Sequence, residues 1–400
     1  MPTVITGSRA TAATQAILST GRKPDRDVNV AQLEENAAPL LLWTKRIEGR
    51  KRQAGNPEFD WFEDEPMPYW DAVNKSGGYT AGATSVVVDN GSYFGTNDLL
   101  KFPRTGEVVR ITAVSSNTLT VSRSVGSTAA AALNDDEDVR KIGSAYSEGA
   151  SAGTMKSTQK TKVLNYSQIF RSTFGATGTE QASELYWGDD RQQERFERGV
   201  DHALDIEAAF LFGEKNEDTS GSTPIRTTGG VVEFISTNST AVNGFLDMDT
   251  FDKALRDGFR YNSKKGRPMK WLFASAVVNG AINNWGRDVL QTVPLESTFG
   301  VHVKKYANAH GSVMIIEHRL LEDNPLTAGA QSAVYGGYAI GVDPQSPRYR
   351  YLKGRDTKLR RNIQANDADA WQDEYLTEAG LEFKSEKWNF LLTGVTANVP

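Results

Sequence analysis

The chain has 400 residues, a formal net charge of −5 and no cysteine, which is enough length for two or three packed units and excludes disulfide or thiol chemistry. The near balance of Lys and Arg against Asp and Glu argues against a dedicated nucleic-acid or membrane-surface binder. No apolar run approaches the length of a membrane span, and the first residues lack the charged-then-apolar order of a signal peptide.

Residues 1–55 read as an arm, with one apolar patch from Leu40 to Trp43 and a basic run of Lys45, Arg46, Arg50, Lys51 and Arg52. Such a run is either a solvated face or an arm that docks on another subunit or a polyanion. Residues 59–73 alternate, with Phe59, Trp61 and Glu63 on one face and Asp60, Phe62 and Asp64 on the other. Pro66 and Pro68 mark that run as an exposed edge, suited to lie across a partner.

Residues 75–143 have a different texture. Five short β runs separated by turn signals in about 70 residues predict a small barrel or sandwich. A second alternating run, 162–174, predicts an antiparallel partner for 59–73, which makes 75–143 a module inserted near the tip of a long hairpin.

The longest helix is predicted over 189–212, roughly 35 Å long. Phe196, Val200, Ala203, Leu204, Phe210 and Leu211 recur on one face, of which Phe196, Val200, Leu204 and Leu211 are expected to anchor the helix in the core, with its arginines and acids facing outward. A polar loop follows, then a strand over "VVEFIS" and a helix over 249–260 with Asp249 as its cap. "MKWLFAS" reads as a buried strand whose Ser275 caps a helix over 276–285. A hairpin turns around Asn308 to Gly311, and "AVYGGYAIGV" is one more strand. Alternating strand and helix predict a mixed unit over about 265–343. Residues 348–361 are basic, with Tyr349 and Tyr351 interleaved, and 369–395 read as a closing sheet. Alone, the basic stretch suggests nucleic-acid binding, but the overall negative charge opposes that, and acidic surface on a neighbouring subunit suits it better.

Catalytic and ligand motifs are weak. Gly149 to Gly153 formally fits G-x-S-x-G but lacks the strand-to-helix context of a nucleophile elbow. His202, His302, His310 and His318 show no metal-site spacing, the acids at 134–138 do not form a calcium loop, and no phosphate-loop pattern occurs. Cofactors are therefore not expected. Glu63 and Glu65 could serve a glycan-degrading enzyme with a β-rich accessory module, the alternative reading. The positive features are instead an arm, an exposed hairpin and segments that cannot bury their apolar residues alone, which argues for an obligate assembly.

Three local patterns sharpen this: "FDWFEDEPMP" at 59–68, "NYSQIFRSTFGATGT" at 165–179 and "DIEAAFLFG" at 205–213, the last followed by "TTGGVVEFI". In combination they resemble the major capsid proteins of tailed bacteriophages with the Hong Kong 97-type fold, over most of the chain from about residue 56. The resemblance implies an α+β fold with an arm (1–55) and an extended loop (56–180) carrying the inserted β-module (75–143). A spine helix with a peripheral domain (181–264), an axial domain (265–345) and a return to the peripheral domain (346–400) follow. It implies a non-enzymatic subunit that self-assembles through hexameric and pentameric capsomers into an icosahedral shell around the phage genome. The expected partners are itself, decoration, scaffold and portal proteins, and packaged DNA non-specifically, with no membrane; the expected locations are the virion and, during assembly, the host cytoplasm. Contacts between subunits are expected at Trp61, Phe62, Glu63, Asp64, Gln168, Arg171, Arg355 and Arg360. The lysine–asparagine crosslink of some relatives has no residue-by-residue match here.

Overall fold

The computed structural model describes residues 38–47, 49–153, 155–183, 190–263, 269–285, 304–321 and 335–396. Most of the expected arm, the start of the long helix at Asp189, His302 and parts of 265–345 lie outside the described residues.

Helix α1 (Pro39–Arg46) precedes strands β1 (Lys51–Ala54) and β2 (Glu58–Glu63). Next come β3 (Trp70–Ala72), β4 (Ser85–Val87), β5 (Asp98–Lys101), β6 (Val108–Ser115), β7 (Thr118–Ser122) and β8 (Asp138–Ser144). Strands β9 (Thr161–Tyr166) and β10 (Gln168–Thr177) lead into α2 (Gly178–Ala182) and α3 (Asp190–Phe212). Then follow β11 (Asn216–Asp218), β12 (Ile225–Thr227), α4 (Val231–Phe234), β13 (Ser239–Gly244), α5 (Met248–Gly258), β14 (Met269–Ala274) and α6 (Ala276–Trp285). The chain ends with β15 (Lys304–Ala307), β16 (Ser312–Glu317), β17 (Ala339–Val342), β18 (Pro347–Leu352), β19 (Lys358–Arg360), β20 (Ala370–Phe383) and β21 (Phe390–Val395).

Two compact units result, Phe62–Val163 and the rest of the chain. In Phe62–Val163 the sheet order is β3-β8-β5-β6-β7-β4, and a bridge between Val73 and Val88 brings its two ends together. Val73, Val86, Phe94, Phe102, Ile111 and Val139 are among the buried residues that fill it. All five short strands expected from the sequence are present. The unit extends past 75–143 because β3 supplies an edge strand and Lys156 donates to the carbonyls of Ser92 and Phe94. The expected long hairpin is short, because only β2 and β9 pair. Beyond Pro66 and Pro68 the first run joins the barrel, and after Ser167 the second leaves to pair all ten residues of β10 with β20.

Among the described residues the larger unit holds two large sheets, β1-β18-β20-β10, with β19 also on β20, and β13-β21-β17-β14-β16-β15, beside the two-stranded pair β11-β12. Helix α3 lies against β10 and β20, and α5 and α6 pack on the second sheet. One core joins α1, α3 and both sheets through Leu40, Phe210, Phe273, Ile340 and Tyr349; a second lies under α5 and α6.

Three expectations need correction. "VVEFIS" contains the short helix α4, with Val231 buried, rather than a strand; its β-branched residues are overruled by packing on α3 and by the close approach of Gly230 to Leu211. Helix α5 is capped by Asp247, whose side chain accepts from Thr250 N at 2.7 Å, instead of by Asp249. Finally, the inward face of α3 is rotated. Leu211 is fully buried, but Phe196 is 61% exposed and Val200 and Leu204 are half-buried. The buried row is His202, Ile206, Glu207, Phe210 and Leu211, with Arg191 and Arg195 continuing it toward Asp373. Hydropathy alone assigns those polar groups to solvent.

Candidate functional site

Strand β20 organises the first sheet. Its side chains alternate, so residues an even number apart share a face. Glu374, Glu378 and Glu382 share one face, each 5% exposed or less. A buried carboxylate is costly unless it is paired, and each of these is. Glu374 accepts from Arg171 at 2.6 Å and Arg360 at 3.2 Å. Glu378 pairs with Arg355 at 2.5 Å and accepts from Ser167 Oγ at 3.2 Å. Glu382 pairs with Arg350 at 2.9 Å, Lys384 at 3.3 Å and Arg348 at 3.5 Å. Gly380, between the last two, leaves room for the Tyr166 carbonyl and the Phe59 ring, which a Cβ would strike.

The opposite face meets α3. Asp373 is fully buried and binds Arg191 at 2.9 Å and Arg195 at 2.8 Å. Burial raises its pKa, yet the Asn362 N–H and the two guanidiniums outweigh that and hold it below the ordinary carboxylate range. Two turns along α3, a directional chain of hydrogen bonds begins. Lys45 donates to Thr357 Oγ1 at 3.2 Å, and Thr377 donates to the same oxygen at 2.9 Å. Thr377 therefore accepts from His202 Nε2 at 2.7 Å, which leaves His202 Nδ1 to accept from Ser172 Oγ at 2.8 Å. Burial, assisted by the Lys45 charge, pushes His202 down to about 4, so its imidazole is neutral at pH 7.

Further along α3, Glu207 caps another helix. Its two oxygens accept from Leu40 N at 2.8 Å and Leu41 N at 2.7 Å, the free first-turn donors of α1. In the second sheet Lys270, on β14, is fully buried. Its ammonium donates to the carbonyls of Trp388 and Tyr261 and sits 5.0 Å from the centre of the Phe259 ring. In the barrel unit, Arg123 and Glu107 form a buried bidentate pair, with Nε–Oε1 at 2.8 Å and Nη2–Oε2 at 2.7 Å.

Several residues expected at subunit contacts have partners within the chain. Trp61 is 5% exposed and packs on Phe59 and Phe234, so it is a core residue of its own chain. Arg171, Arg355 and Arg360 pair with acids on β20 of the same chain. Gln168 accepts from Thr228 N at 3.1 Å, and Asp64 accepts from Thr158 Oγ1 at 2.8 Å. Glu63 is half-buried, while Phe62 is 66% exposed. The β20 carboxylates, Glu207 and Lys270 are not singled out by the sequence, and His202 is weighed there only as a metal ligand. The one local signal was the four-residue spacing of Glu374, Glu378 and Glu382 in an otherwise strand-like run. Among the described residues no group of three or more His, Asp or Glu is placed to hold a metal ion, and no helix is long and apolar enough to cross a membrane.

The family model described as SU10 major capsid protein matches residues 5–396. A major capsid protein of Pseudomonas phage PaMx41 is 25% identical over 338 residues, which are 82% of this chain and 78% of that protein. A structure from Mycobacterium phage Ogopogo shares the fold with a TM-score of 0.51 and 9% identity, over 96% of this chain and 99% of that one. A capsid chain of an empty GTA particle aligns with a TM-score of 0.48 and 11% identity, over 97% and 99% of the two chains. The glycan-degrading alternative finds no support in these relatives. A family match over nearly the whole length, on a fold of helices and sheets shared with a phage structure, means that this chain belongs to the SU10 major capsid protein family and has the Hong Kong 97-type fold.

Proposed function

We propose that many copies of this chain close into an icosahedral shell around a packaged phage genome, through hexameric and pentameric capsomers that form in the host cytoplasm. The observation that carries this reading is the family match over residues 5–396. In it, residues 1–55 are the arm, 56–180 the extended loop, 181–264 and 346–400 the peripheral domain and 265–345 the axial domain. The barrel unit then reinforces contacts between copies. It has its own buried core, yet Phe62, Tyr69, Trp70 and Ile142 are each more than half exposed, more large apolar surface than a solitary small barrel needs. The role is structural, with no catalytic step. Portal, scaffold and decoration proteins are the further partners, and DNA is contacted without sequence preference. Electron microscopy of the purified protein tests the reading. Closed shells or capsomer rings are expected; a monodisperse monomer that cleaves glycan would overturn it.

A further inference from the structure

Strand β10 has one edge on β20 and one edge that forms no ladder with another strand among the described residues, although β12 comes close to β10. The direction of its backbone groups follows from one hydrogen bond. Gly178 N donates to Asp369 O at 3.0 Å, one step beyond the Thr177–Ala370 pair. Hydrogen-bonded pairs alternate in an antiparallel ladder. Phe170, Ser172, Phe174 and Ala176 therefore exchange hydrogen bonds with β20. Ile169, Arg171, Thr173, Gly175 and Thr177 point their N–H and C=O groups away from it. Ser167, the preceding residue of the same parity, agrees: its N–H reaches outward to Pro57 O at 2.7 Å. The same five outward residues are all exposed, Ile169 at 53%.

Apart from the charge of Arg171, this edge lacks the usual protections. The β10–β20 register runs through ten pairs without a bulge, and β10 contains neither proline nor lysine. Proteins that remain alone blunt such an edge or cover it. Building on the shell reading above, we propose that the free edge of β10 pairs with a β-strand of a second copy of this chain. The second copy is the partner that a shell supplies at every position. The chain also carries a strand of suitable geometry. Two copies of β10 set antiparallel about Thr173 place every outward residue against an outward residue. Arg171 then stands opposite Gly175, so like charges do not face each other. Strand addition of this kind draws its affinity from main-chain hydrogen bonds.

Residue-resolved hydrogen exchange on the free subunit and on assembled shells tests this. The amides of Arg171, Thr173 and Gly175 should exchange fast in the subunit and slow by about a hundredfold or more in the shell. Those of Ser172 and Phe174 should be protected in both states. Thr173→Pro removes one outward N–H without touching the β20 ladder and should cut shell yield by roughly tenfold, whereas Thr173→Val should stay within about twofold of wild type. Circular dichroism separates failed assembly from misfolding, and if the proline variant misfolds, exchange on the wild type decides alone. Wild-type shells whose outward amides exchange as fast as in the free subunit would overturn the inference and leave the shell reading intact. Failure of the wild type to form any shell would instead remove the reading on which the inference rests.

Discussion

His318 donates through Nε2 to Glu207 Oε1 at 2.9 Å, and neither side chain is more than 3% exposed. The tautomer is set locally, because His318 Nδ1 accepts from Leu320 N at 3.2 Å. Glu207 therefore gathers three donors: this imidazole and the first two free amides of α1. Glu207→Leu leaves those donors buried without an acceptor. It should lower stability by about 3–5 kcal/mol in denaturant titration. Limited proteolysis should show new cleavage within residues 38–47 while α3 stays intact. Wild-type resistance there would mean that Leu40 and Leu41 hold α1 by packing alone.

His202 makes acid stability testable. Its pKa falls from 6.5 in the open chain to about 4 in the fold. The unfolded chain thus binds a proton that the folded chain refuses, and stability is lost as pH drops from 6.5 through 4. His202→Gln should flatten that part of the stability–pH curve. Parallel curves for the two proteins would assign the acid sensitivity to other groups.

Lys270 gives the corresponding effect in base. Burial lowers it from 10.5 to about 8, partly offset by Asp343. Between these values the folded chain has released its proton and the unfolded chain has not, so stability rises with pH across the window. That interval is worth roughly 3 kcal/mol. Lys270→Met should lack the rise, while Tyr349, whose phenol is raised by burial and by Asp356, affects both proteins alike. Thermal denaturation at several pH values between 7 and 10 reads the difference.

The Arg123–Glu107 pair should govern the barrel unit. Glu107 is fully buried and also accepts the amides of Ser124 and Ala131, each at 3.1 Å. Arg123→Ala strands that carboxylate and should cost about 3–5 kcal/mol, melting residues 62–163 ahead of the rest of the chain. Replacing 64–160 with a short Gly-Ser turn should leave the larger unit folded and weaken its shells to heat and osmotic stress. Calorimetry checks both. A single unchanged transition in the Arg123 variant, or an insoluble truncated chain, would show that the two units do not fold separately.

Much of the local structure was legible in the residues themselves. The helix Asp190–Phe212, the five short barrel strands, the Ser275 cap and the turn at Asn308 each depend on neighbours a few positions away. The capsid resemblance was legible for a related reason, since it rests on short contiguous patterns. Tertiary structure alone decided which face of α3 turns inward. Periodicity counts apolar side chains, and the partners of Arg191, Arg195, His202 and Glu207 come from β20, α1 and the segment after β16. It also decided that Arg171 and Arg360 serve this chain's own Glu374. Arg171 and Glu374 lie 203 residues apart in sequence, and a buried carboxylate can be recognised only once its cation has been placed beside it.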